Sequence, residues 1–142
     1  MEFITQTQNM MFIILALASL AGFLFLTFRP PGESRNAVNP AEATMMINRE
    51  NAVVIDVRET DQYVTGHVPD SRNIPEARLE ERAADLQKLK HFPLILVCQS
   101  GPRSAAACTL LEKKGFPNVR NLAGGIGAWK EAGLPLKKGA KR

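Results

Sequence analysis

The chain has 142 residues, enough for one ordinary domain of about 100 to 150 residues and a short appendage. Apolar residues make up 45% of it and charged residues 23%, which excludes a disordered chain and predicts a single packed core. The formal charge of +4 is spread along the sequence and clusters only at Lys137, Lys138, Lys141 and Arg142, so residues 137–142 read as a solvated basic tail and no nucleic-acid partner is implied.

Residues 1–9 form a tail without Lys or Arg. From Met10 to Phe28 the sequence then carries no charge and only Ser19 and Thr27 as hydroxyl side chains. As a helix this stretch would extend about 28 Å, close to the hydrocarbon thickness of about 30 Å, and it is predicted to cross a membrane once. A cleaved signal peptide normally carries positive charge ahead of its apolar stretch, whereas the first basic residue here, Arg29, comes after it. Arg29 and Arg35 behind the span place the remainder of the chain on the cytoplasmic side of a cell membrane. In that reducing compartment Cys98 and Cys108 are expected to stay thiols. The Pro/Gly-rich residues 29–35 read as a linker.

The domain is expected over residues 36–136. Asn39 followed by Pro40 is an N-cap and first helical position, opening a helix to about Asn48. Ala52 to Val57 is a short apolar run rich in β-branched residues, as in a strand buried on both faces. A polar stretch with Gly66, Pro69 and Asp70 leads to Asn73, Ile74 and Pro75. A helix is predicted over Glu76–Lys90, with Leu79, Ala83, Leu86 and Leu89 on one face. Leu94 to Val97 is a second buried strand, Ser104 to Lys114 a helix stopped by Gly115, and Val119 to Leu122 a third strand. After Gly124-Gly125, residues Ile126 to Ala132 make a last short helix. Such alternation of β and α implies a mainly parallel sheet with helices on both faces.

Cys98 then sits at the carboxyl end of a buried strand, where open α/β sheets collect their ligands. The loop Cys98-Gln99-Ser100-Gly101-Pro102-Arg103 enters a helix, whose first N–H groups are unsatisfied and carry partial positive charge. These dipoles favour thiolate over thiol, and Gly101 permits backbone geometry in which successive N–H groups turn inward. Arg103 adds a fixed positive charge.

Four stretches carry a resemblance to the single-domain rhodanese (thiosulfate sulfurtransferase) family, in a membrane-anchored form. They are Ile55-Asp56-Val57-Arg58-Glu59; Gly66-His67-Val68-Pro69 with Asn73-Ile74-Pro75; Cys98 to Ser104; and Asn121 to Ile126 with Ala128-Trp129 and Gly133-Leu134-Pro135. The resemblance runs from about Val38 to Leu136. It implies a rhodanese-like three-layer α/β domain and a transferase whose Cys98 takes a sulfane sulfur from a donor such as thiosulfate, becomes a persulfide, and passes the sulfur to a thiophilic acceptor. Gln99, Ser100, Gly101, Pro102 and Arg103 would hold the persulfide and the leaving anion. Arg58 matches a family position near the mouth of the site, with an ion pair to Glu59 or Asp61 as the alternative. No metal or organic cofactor is implied.

Phosphatases of the same fold, and the arsenate reductases that resemble them, place five residues between Cys and Arg, whereas this loop has four, which favours sulfur over phosphate. A second class of function is a membrane-tethered sulfur carrier or protein-docking module, with another membrane protein as its partner. Asp70-Ser71 replaces the family's common Gly-Ala, and Pro102 stiffens the loop. His67 reads as a turn residue bonded to nearby backbone, Cys108 as a buried packing residue rather than a resolving thiol, and Trp129 with Gly124-Gly125 as packing and turn positions.

Overall fold

The computed structural model describes residues 2–27 and 36–140. Phe28, the expected linker 29–35, Lys141 and Arg142 lie outside the described residues. The chain divides into two compact units, Met1–Gly32 and Glu33–Arg142.

In the first unit a single helix, α1, runs over Glu2–Thr27, so it begins well ahead of the expected Met10. No Pro or Gly interrupts Glu2 to Met10, and the Thr7 hydroxyl donates back to the Phe3 carbonyl at 2.7 Å, a bond compatible with continued helix. The segment Phe3–Leu24 has 22 residues and a mean hydropathy of 1.7, and none of it is buried. At 1.5 Å per residue it is about 33 Å long, enough to cross a bilayer. By length and composition alone a signal sequence has the same features.

The second unit is built on a five-stranded parallel sheet in the order β1-β5-β4-β2-β3. The strands are β1 (Ala37–Val38), β2 (Val53–Asp56), β3 (Arg72–Asn73), β4 (Leu94–Val97) and β5 (Val119–Leu122). Between them run the helices α2 (Pro40–Arg49), α3 (Thr60–Thr65), α4 (Glu76–Arg82) and α5 (Pro102–Lys113), with α6 (Gly125–Glu131) last. Strand periodicity distributes the core over both faces. Leu94, Leu96 and Cys98 point to the side packed by Leu79 of α4 and by Ala107 and Leu111 of α5. Ile95 and Val97 point to the other side, against Ala43 of α2 and against Ile126 and Trp129 of α6. This is the three-layer α/β architecture with a parallel sheet expected from the sequence.

Asn39 caps α2 as expected, its side-chain oxygen accepting the Glu42 N–H at 2.8 Å. The long helix expected over Glu76–Lys90 does not form. α4 stops at Arg82, and the chain continues in tight turns to a 3₁₀ segment over Gln87–Leu89. Leu86 N–H bonds to Ala83 O and Leu89 N–H to Leu86 O, both three residues back. Three residues per turn brings Ala83, Leu86 and Leu89 onto one face, and all three pack on the core. Past Leu136, where the domain was expected to end, Lys137 exchanges two backbone bonds with His67, and Gly139 N–H donates to Val64 O.

Candidate active site

The C-terminal ends of β2 and β4 lie side by side, since Val57 N–H continues their pairing onto Val97 O at 2.9 Å. Cys98 follows β4 directly and is 1% exposed. Beyond it Gln99 and Ser100 are exposed, Gly101 is buried at the N-cap of α5, and Pro102 takes the first helical position, where a missing N–H costs nothing. Gly101 has φ 116°, a conformation that a residue with a Cβ rarely adopts.

The loop is shaped from behind by α6. Ile126 N–H donates to Cys98 O at 3.0 Å and Gly127 N–H to Gln99 O at 3.3 Å. In a trans peptide the N–H points opposite to the carbonyl, so fixing the Gln99 carbonyl toward α6 turns the Ser100 N–H away from it, to the sulfur side. The approach is so close that a Cβ on Gly125, at φ 59°, would lie 2.7 Å from the Gln99 carbonyl carbon and closer still to Cys98 O. Gly125, expected to be a turn residue, is thus the position that lets α6 support the loop.

The sulfur receives the Gly101 N–H at 3.0 Å and the Ser104 hydroxyl at 3.2 Å. Burial is the largest single influence on the thiol and pushes its pKa up. The Ser104 hydroxyl and the backbone N–H groups of Ser104, Gly101 and Ser100 oppose it, and the net result lies below the ordinary thiol value. Cys108, two helical turns into α5, has no such donors: burial, then the charges of Glu112 and Cys98, push its pKa up to about 12. It is a neutral core thiol.

Ser104 and Asn121 belong to the site and are absent from the sequence-based assignment of roles. The Ser104 hydroxyl is also within bonding distance of Gly101 O, at 3.0 Å, and of Asn121 Oδ1. A hydroxyl has one proton, so these three acceptors compete for it. Asn121 Nδ2 donates to Gly101 O at 3.3 Å. The available signal for Asn121 is a polar residue between the apolar ends of a short strand, and the structure registers it against Leu96, which shares a face with Cys98.

Two sequence-derived expectations change. Arg103 is not a free positive charge: its Nε donates to Glu76 Oε2 at 2.9 Å and its Nη2 lies 3.7 Å from Glu59 Oε1, with Cys98 also within electrostatic range. The Glu76 hydrogen bond is the main cause that raises its pKa. Arg58 is 2% exposed, with Nε and Nη2 on Asp56 and Nη2 also donating to Gly66 O at 2.7 Å. It pairs with Asp56 instead of Glu59 or Asp61, and ties the end of β2 to the turn after α3. Its guanidinium has been drawn into the scaffold because Asp56, at 1% exposure, needs a buried counter-charge. His67 sits as expected of a turn residue, stacked on Tyr63 at 3.8 Å with Nδ1 against Tyr63 O at 2.9 Å. A groove of about 810 Å³ lined by Tyr63, Arg72, Arg82 and Lys88 borders β3 and does not include Cys98.

A family model described as Rhodanese-like domain matches residues 39–132. The chain is 33% identical over 124 residues to the uncharacterized protein YibN of Escherichia coli strain K12, covering 87% of each. It is 31% identical to a thiosulfate sulfurtransferase, GlpE, of Pseudoalteromonas translucida, over 67% of this chain and 89% of that one. Among solved structures it superposes on a rhodanese-related protein from Thermoplasma volcanium with a TM-score of 0.66 at 32% identity, covering 72% of this chain and 97% of that one.

Proposed function

Because the chain belongs to the rhodanese-like domain family, we propose that it is a sulfurtransferase working through a persulfide on Cys98. The observation that carries this reading is the sulfur held at the N-terminus of α5 by the Gly101 N–H and the Ser104 hydroxyl. Both donors favour the thiolate, the attacking species in sulfur exchange.

The Cys98 thiolate attacks the sulfane sulfur of a donor. The donor's S–S bond breaks, its electron pair leaves with the departing group, which is sulfite when the donor is thiosulfate, and Cys98 carries one added sulfur. An acceptor thiolate or cyanide then attacks the outer sulfur, and the electron pair of the Cys98 S–S bond returns to the thiolate. The N–H groups that stabilise the thiolate are placed to stabilise the persulfide anion, and the exposed Gln99 and Ser100 border the path of the donor. α1 serves as a single membrane anchor with the domain on the cytoplasmic side.

The test uses the full chain in a non-ionic detergent, incubated with excess thiosulfate or with cysteine persulfide. Mass spectrometry is expected to find one added sulfur on the Cys98 peptide, discharged by cyanide as thiocyanate, with Cys98→Ser inert and Cys108→Ser unaffected. Absence of the adduct with both donors refutes the reading.

A further inference from the structure

The arginine of the loop is already occupied. Arg103 Nε is hydrogen-bonded to Glu76, and its Nη2 faces Glu59. These residues come from the carboxyl ends of adjacent strands: Glu59 follows β2, Glu76 follows β3, and Arg103 opens α5 behind β4. All three side chains are 39% to 58% exposed, and Arg103 lies within electrostatic range of the Cys98 sulfur. One guanidinium against two carboxylates leaves this cluster with one net negative charge. The partial positive charge of about one half at the α5 N-terminus offsets only part of it, and a Cys98 thiolate adds another negative charge.

We infer that the acidic Glu59/Glu76/Arg103 cluster selects against dianionic donors such as thiosulfate and for a cysteine persulfide flanked by Lys or Arg on a protein. This rests on the sulfurtransferase reading. The step balances without an oxidant: Cys98–S⁻ attacks the outer sulfur of R–S–SH, the donor's S–S bond breaks, R–S⁻ leaves with its electron pair, and Cys98–S–SH forms with the proton still on the transferred sulfur. A basic flank on the donor meets the unpaired carboxylate charge, whereas thiosulfate brings two negative charges to it.

The test loads the full chain in non-ionic detergent with two peptides that differ only in carrying Lys or Glu on both sides of a cysteine persulfide, and with thiosulfate. The second-order rate of Cys98 persulfide formation is read by mass spectrometry. At about 20 mM salt the Lys peptide is expected to react about tenfold faster than the Glu peptide, narrowing to about twofold at about 0.5 M salt as the charges are screened. In Glu59→Gln/Glu76→Gln the peptide preference should fall below about threefold and thiosulfate loading rise by about three- to tenfold, with Arg103 released to face the anion. Equal peptide rates at low salt in the wild-type chain, or a preference and a thiosulfate rate unchanged by the double substitution, overturn the inference while leaving the persulfide reading intact. Failure of every donor to load Cys98 overturns both.

Discussion

At Cys98 two opposing influences meet. Removal from water favours the neutral thiol, and donated hydrogen bonds from Ser104, Gly101 and Ser100 favour the thiolate and prevail. Three of the four donors are backbone groups held by the loop, so the Ser104 hydroxyl is the one that a substitution removes cleanly. Ser104→Ala is expected to move the midpoint of Cys98 alkylation by iodoacetamide to higher pH. It should also slow persulfide loading at about pH 6 by about tenfold or more, the loss of a hydrogen bond to a charged group. An unchanged alkylation midpoint would exclude Ser104 from thiolate stabilisation. The sign also governs stability. A depressed pKa contributes stability that is present above the unfolded thiol value and is lost as pH falls through the lower folded value. Cys108 is the internal control: with its pKa pushed up to about 12, it should resist the same reagent until the chain unfolds.

At the scale of elements, the reactive loop is the meeting of β4, α5 and α6, and α6 approaches it through Gly125. Gly125→Ala places a methyl group against Gln99 and Cys98 O and forces a side chain into a φ of 59°. About 2 to 4 kcal/mol of destabilisation is expected from strain and overpacking together. For a domain of this size that lowers the thermal unfolding midpoint by about 10 °C or more in calorimetry. Persulfide loading should fall with it, because the carbonyls that α6 holds would no longer turn the loop N–H groups toward sulfur. A midpoint within about 2 °C of the parent would refute the support role of α6. The elements themselves differ in how they are written. β4 was legible as four apolar residues between Pro93 and Cys98, and β5 from Val119 to Leu122. The two-residue strands β1 and β3 and the six-residue α3 carry no periodicity and form because neighbours pair with or cover them. The break after Arg82 was hidden for a related reason, since the apolar spacing of Leu79, Ala83, Leu86 and Leu89 fits an α-helix and a tightened 3₁₀ end alike.

On the scale of the whole molecule, the proposed membrane anchor α1 and the proposed sulfur chemistry belong to one chain. With α1 as an anchor, the full chain is expected to pellet with membranes and resist extraction by alkaline carbonate. A membrane-impermeant maleimide should label Cys98 only after the cells are permeabilised. Recovery of a chain cleaved behind α1, or labelling of Cys98 in sealed cells, would reverse the assignment to an uncleaved anchor or to the cytoplasmic side. Such a tether would also raise the local concentration of a membrane-bound or membrane-associated persulfide protein, the kind of donor proposed for the acidic cluster.

The primary sequence by itself determined the alternation of strands and helices, the apolar helix, and the position of Cys98 at a strand end before a helix. Each of these follows from local features: apolar runs, period, punctuation by Gly and Pro, and one chemically distinctive residue. Tertiary structure decided what the polar residues around the sulfur do. Ser104 and Asn121 lie 17 residues apart and meet only because β5 pairs with β4. Arg58 turns to Asp56, and Arg103 to Glu76 and Glu59, because a charge goes to the counter-charge that the fold brings within reach, and sequence distance carries no record of which one that is.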